Sequence, residues 1–151
     1  MGSNHYHQNE VKKFWNGYAP HFEHISAATP YKNLRNQILA KVHPGMHCLD
    51  LGCGPGHLMR PIARLGCLID GVDASEKMIE LAKTNLADVS TRVKLINNDA
   101  FDYLRNYTGK KFDIIIANLF ISYTQNPQQI LDEIYRNLKP GGKFIMSNPA
   151  N

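Results

Sequence analysis

Three glycines at alternate positions, Gly52, Gly54 and Gly56, follow the apolar stretch Cys48-Leu49-Asp50-Leu51. Only glycine lets a backbone turn sharply and approach a bound ligand this closely, and a helix starting after such a turn offers it free N–H groups. The dinucleotide fingerprint G-x-G-x-x-G needs a third glycine at position 57, where this chain has His57. The offset points to an adenosine-type ligand that lacks a pyrophosphate. Two further carboxylates fall where strands end. Asp73, in Gly71-Val72-Asp73-Ala74-Ser75, is placed to accept hydrogen bonds from vicinal ribose hydroxyls, with Ser75 left to cap the next helix. Asp99, in Asn97-Asn98-Asp99-Ala100-Phe101, is placed to accept from an adenine amino group while a neighbouring backbone N–H meets a ring nitrogen. Met78 lies one turn into the helix after Ser75, where it packs either on an adenine face or in the core.

These residues need a scaffold that brings strand ends together, and the hydrophobic pattern supplies one. Strands are expected to start near Met46 and over residues 67–72, 92–97, 112–118 and 143–147, the fourth carrying the unbroken run Ile114-Ile115-Ile116-Ala117. Between them, residues 57–65 and 75–86 read as helices, and Asn126-Pro127 opens another that Lys139-Pro140-Gly141-Gly142 ends. Ahead of the strands, Val11, Phe14, Trp15, Tyr18 and Phe22 recur at helical spacing over residues 11–24, an amphipathic segment suited to a lid. A second leader helix starts with Thr29 as cap and Pro30 as first residue. Alternating strands and helices imply a doubly wound, Rossmann-like α/β domain with a mostly parallel sheet in three layers, α/β/α. In such a sheet, ligands collect beyond the carboxyl ends of the strands, where the Gly loop, Asp73, Asp99, Ala100 and Asn118 all fall. Residues 1–45 form a helical leader and residues 46–151 the binding core of a single domain.

Bulk properties exclude several classes. The 151 residues are 43% hydrophobic, enough for one buried core, and no segment reads as a membrane span. The opening residues carry neither a secretion signal nor a myristoylation site, so a cytoplasmic location is expected. Cys48, Cys53 and Cys67 lack C-x-x-C spacing and read as reduced thiols, with neither a disulfide framework nor a metal site implied. The formal charge of +4 is spread along the chain, so no nucleic-acid partner is indicated.

The residues resemble the class I S-adenosylmethionine-dependent methyltransferases, especially those acting on small molecules and quinone precursors. The resemblance rests on Leu49-Asp50-Leu51-Gly52-Cys53-Gly54-Pro55-Gly56, Gly71-Val72-Asp73-Ala74-Ser75 with Met78, Asn98-Asp99-Ala100, Phe112-Asp113-Ile114-Ile115 and Leu138-Lys139-Pro140-Gly141-Gly142. It implies S-adenosyl-L-methionine as cofactor and S-adenosyl-L-homocysteine as product. Asp50, Gly52, Cys53, Gly54 and Gly56 would hold the methionine part, Asp73 with Ala74 and Met78 the ribose side, and Asp99 and Ala100 the adenine. The carbonyl near Asn118 would fix the amino group, and Tyr18 matches a leader-helix tyrosine that covers the cofactor. No catalytic residue is implied, because alignment of a nucleophile suffices; Trp15 and Tyr18 are candidates for sulfonium stabilisation, and His21, His24 or His57 for a base. Ala117-Asn118-Leu119-Phe120 departs from the motif of relatives that methylate DNA bases or glutamine, and the apolar residues 119–123 suit either a hydrophobic small-molecule pocket or helix packing.

The family's sheet has seven strands, and five are expected here. Either a truncated chain or a homodimer covering the exposed sheet edge follows. Two rivals remain: a module that binds the cofactor without catalysis, which the same motifs fit, and an NAD-dependent oxidoreductase, which shares the sheet and the acidic residue after the second strand but would need a third glycine at His57.

Overall fold

The computed structural model describes residues 2–21, 29–118 and 126–147. Among them, five strands, β1 (His47–Leu51), β2 (Leu68–Asp73), β3 (Val93–Asn97), β4 (Phe112–Asn118) and β5 (Leu138–Ser147), form one sheet in the order β3-β2-β1-β4-β5. All four pairings are parallel, more uniform than the mostly parallel sheet expected. The order reverses between β1 and β4. That reversal sets the carboxyl ends of β1 and β4 side by side, the place where an open parallel sheet takes its ligands.

Among the described residues the strands are accompanied by α1 (Gly2–Tyr18), α2 (Thr29–Leu39), α3 (Met59–Arg64), α4 (Glu76–Asn85), α5 (Ala100–Asn106) and α6 (Pro127–Asn137). Strand alternation splits the core into two layers. Cys48, Ile69, Ile114 and Ile116 face one way and pack with Met59, Ile62, Ile79, Ala82 and Leu86 of the α3 and α4 side. Leu49, Leu51, Val72, Ile115 and Ala117 face the other way, against Leu104 of α5 and Ile130 and Ile134 of α6. The central strands are apolar on both sides because both sides are covered.

Several boundaries depart from the pattern for identifiable reasons. Helix α3 starts at Met59 rather than at 57, because Gly56 sits at φ 85° and the chain needs a further turn to enter helical space. Helix α1 ends at Tyr18, where Pro20 disfavours helical geometry at Ala19, and a short 3-10 turn follows over Ala19–His21. The lid stretch from Phe22 onward lies outside the described residues. β5 starts at Leu138, directly after α6, and slips register between Phe112 and Ile114, with Gly141 at φ 77° in the slip. The helix α5, between β3 and β4, has no counterpart in the expected elements. Its signal was present: Asp99 accepts the Asp102 N–H at 3.0 Å as a helix cap.

Candidate functional site

The turn after β1 is built by its glycines. Gly52, Gly54 and Gly56 all lie at positive φ, 69°, 54° and 85°, a region that costs any other residue about 1–2 kcal/mol. A Cβ on Gly56 would also stand 2.7 Å from Leu86 Cδ1, so the loop is packed tightly onto the end of α4. The amides of Gly52 and Cys53 both donate to Val72 O, Gly56 N–H closes a turn onto Cys53 O, and Asn85 Nδ2 donates to Pro55 O. Gly54 N–H points at β2 and donates to Asp73 Oδ2 at 2.8 Å.

Asp73 is thereby tied to the loop. Its other oxygen accepts the Ser75 N–H at 2.9 Å, and Ser75 Oγ accepts the Met78 N–H as the cap of α4. Burial raises the Asp73 carboxyl above its ordinary range, and the hydrogen bonds from Ser75 and Gly54 oppose that rise. Each carboxylate oxygen keeps a further lone pair for a ligand hydroxyl.

Asp50 lies one strand inward, with Gly71 of β2 and Ile116 of β4 as its register neighbours. It is 3% exposed. Among the described residues nothing donates a hydrogen bond to its carboxylate, and burial, then the charge of Asp73, push it up to about 8. A buried carboxylate without a donor is costly unless a cation or donor meets it. The pair Asp50 and Asp73, flanking a glycine turn, offers acceptors whose chemistry suits a ligand carrying both an ammonium and hydroxyls.

The remaining candidates are placed less uniformly. Ala74 sits between Asp73 and the α4 cap, and Met78 is buried beneath that helix start. Ala100 opens α5 and is buried, while Asp99 is half-buried, its carboxyl raised by burial against the pull of its cap bond to Asp102. Asn118 ends β4 and accepts the Ser147 hydroxyl across the sheet. Cys53 is buried in the loop, and burial, then the charges of Asp73 and Asp50, push its thiol well above the ordinary range, which favours the unreactive thiol form. Tyr18 stacks on Phe14 with centroids 5.7 Å apart and meets Trp15 edge-on at 5.5 Å. Of the three candidate bases, His57 follows the glycine loop; the side chain of His21 and the whole of His24 lie outside the described residues, as do residues 119–123. No group of acidic, His or Cys side chains among the described residues is arranged to hold a metal ion.

One contact escaped the sequence reading. Asn16 of α1 reaches the start of α4, where its Oδ1 accepts from the Ser75 hydroxyl and from the Lys77 N–H, and Lys12 pairs with Glu76 at 2.6 Å. Nothing in the sequence around Asn16 marks it, since the contact spans two elements far apart in the chain.

A family model described as a methyltransferase domain matches residues 42–151. The chain belongs to the class I S-adenosylmethionine-dependent methyltransferase family. It is 33% identical over 131 residues to sterol 4-C-methyltransferase strm-1 of Caenorhabditis elegans, covering 84% of this chain and 39% of that protein. It is 30% identical over 124 residues to the ubiquinone biosynthesis O-methyltransferase of Coxiella burnetii, covering 82% of this chain and 51% of that protein. This methyltransferase-family chain thus spans about half or less of the length of those relatives. Its fold is shared with a methyltransferase from Geobacter sulfurreducens solved in complex with S-adenosyl-L-homocysteine, at 24% identity and a TM-score of 0.66 over 76% of this chain and 47% of that one.

Proposed function

We propose that this chain binds S-adenosyl-L-methionine at the carboxyl ends of β1 and β4 and serves an enzyme that methylates a small-molecule acceptor. The observation that carries the reading is Asp50: a buried carboxylate with no donor among the described residues, beside a turn of three left-handed glycines. Asp50 and the loop of Gly52, Cys53, Gly54 and Gly56 would hold the methionine part, whose ammonium supplies the missing donor. Asp73, Ala74 and Met78 would hold the ribose side, Asp99 and Ala100 the adenine, and the backbone at Asn118 the amino group. Tyr18, with residues 1–45 as a leader, would cover the site, leaving residues 46–151 as the binding core.

When bound, the cofactor supplies a sulfonium-activated methyl group open to in-line displacement. The chain's own part is to fix the donor's ends, exclude water and leave room for an acceptor. A cation held beside Trp15 and Tyr18 gains from their ring faces. The names of the two relatives, a sterol and a ubiquinone methyltransferase, support an apolar ring-bearing acceptor. Nothing about the described residues favours nucleic acid. No helix among them is long and apolar enough to cross a membrane, and we place the protein in the cytoplasm. We also propose that two copies associate through the outer edge of β5.

Calorimetric titration with S-adenosyl-L-homocysteine tests the reading. The expected outcome is saturable binding that Asp73→Ala weakens by roughly ten- to a hundredfold, the scale of a charged acceptor lost from a ribose. Binding of NAD with no response to either form of the methionine cofactor would overturn it. A radiolabelled-methyl assay on a panel of phenolic and sterol acceptors then separates an enzyme from a binding module.

A further inference from the structure

The contact between α1 and α4 does more than attach a leader helix. Ser75 is 1% exposed, and its hydroxyl is used twice: as acceptor it caps α4 through the Met78 N–H, and as donor it bonds Asn16 Oδ1. Those two bonds fix its rotamer. The same residue's backbone N–H is aimed at Asp73 Oδ1, and the other Asp73 oxygen holds the Gly54 N–H at the centre of the glycine turn. Asn16 Oδ1 accepts the Lys77 N–H as well, so the N-cap residue Ser75 and a side chain from α1 together cap the first turn of α4. An unbroken hydrogen-bonded chain therefore runs from Asn16 through Ser75 and Asp73 to Gly54.

Ser75 and Gly54 of that chain are buried and Asn16 and Asp73 half-buried, an environment in which such bonds reinforce one another. The ion pair of Lys12 with Glu76, one turn away, is exposed and contributes little to the same geometry. Trp15, the one tryptophan in the sequence, neighbours Asn16 and touches Tyr18, so the helix carries its own optical reporter.

We propose that Asn16 is a positioning residue for cofactor binding: it orients Ser75 and through it holds Asp73 in the geometry that accepts a ribose. The inference rests on the cofactor reading given above. It assigns α1 a role in setting affinity, distinct from covering the site with aromatic side chains.

The test is titration of the full chain with S-adenosyl-L-homocysteine, with Trp15 emission recorded in parallel. Asn16→Ala is expected to weaken binding roughly five- to tenfold, the loss of about one hydrogen bond. Asn16→Asp keeps an acceptor at the α4 N-terminus and is expected to restore affinity. Lys12→Ala, which removes the surface pair alone, is expected to bind as the wild type does. The deciding comparison is the pair Asp73→Asn and Asn16→Ala/Asp73→Asn. Because Asn16 acts through Asp73, the two should bind equally, whereas independent losses that multiply would overturn the proposal. Equal affinity of Asn16→Ala and the wild type would also overturn it. A melting temperature and Trp15 spectrum unchanged in the free Asn16→Ala protein exclude simple unfolding of α1; if instead the helix detaches, Asn16→Asp decides, since failure to rescue refutes the acceptor role. Absence of binding by the wild type overturns the cofactor reading itself, and this inference with it.

Discussion

Asp50 concentrates the conflict between folding and function at one residue. Its carboxyl is pushed up to about 8 from an ordinary 3.8, by burial first and by Asp73 second. Between those values the native protein keeps a proton that the unfolded chain has already released. Stability must then fall as pH rises through that window, because the unfolded state binds fewer protons than the native one. Asparagine has no proton to lose. Asp50→Asn is therefore expected to melt above the wild type at about pH 8, by about 1–3 kcal/mol, with the difference closing towards about pH 4. Asp73, raised also, continues to titrate in the variant, but without a charged neighbour. Thermal unfolding of both proteins across pH checks this; a variant less stable than the wild type at about pH 8 would refute the assignment of Asp50 as an unsatisfied charge. The same substitution should abolish the tight titration with S-adenosyl-L-homocysteine, since the amide presents no charge to an ammonium. Gain of stability with loss of binding is the mark of a residue kept for a ligand.

At the scale of elements, the site depends on a joint between β1, β2 and α3 that is closed by missing side chains. A Cβ on Gly71 of β2 would stand 2.4 Å from Met59 Sδ and 3.0 Å from Cys53 Sγ, both in the buried layer beneath the glycine turn. Gly71→Ala must push Met59 aside or lift Cys53, and overpacking of this kind costs about 1–3 kcal/mol. The expected outcome is a lower melting temperature and weaker cofactor binding together, whereas an unchanged melting temperature would mean that the layer has slack. This joint was legible in part. The alternate glycines, Asp73 after β2 and the Ser75 cap all carry local signals, because turn geometry and capping are written in neighbouring residues. The β4 run was legible for a different reason: a strand covered on both faces has no polar positions to blur it. What escaped was set by residues distant in sequence or by a local signal open to two readings. The start of β5 follows from its pairing with β4 across a register slip, α5 was hidden behind an aspartate that also suits a ligand, and the Asn16 contact joins positions that no periodicity relates.

For the molecule as a whole, the strand order among the described residues places β3 and β5 outermost. The two are not equivalent. β3 has five residues with exposed Lys94 at its second position, a short and charged edge of the kind that resists pairing. β5 has ten residues and places Met146, 46% exposed, near its end, alongside the partly buried Phe144 and Ile145. A long edge with apolar side chains presents unpaired backbone groups and a surface that association would cover. The proposed self-association through β5 would leave the carboxyl ends of β1 and β4 open on both copies. Sedimentation velocity over a range of concentrations is expected to show a monomer–dimer equilibrium. Met146→Lys, which places a charge on that edge, should shift it to monomer, whereas Lys94→Glu on β3 should leave it unchanged. A wild-type chain that stays monomeric at every concentration, or a dimer that survives Met146→Lys and dissociates with Lys94→Glu, would remove β5 as the contact. Affinity for S-adenosyl-L-homocysteine should be the same for monomer and dimer, since Asp50, Asp73 and the glycine turn all belong to strands at the centre of the sheet and not at its rim.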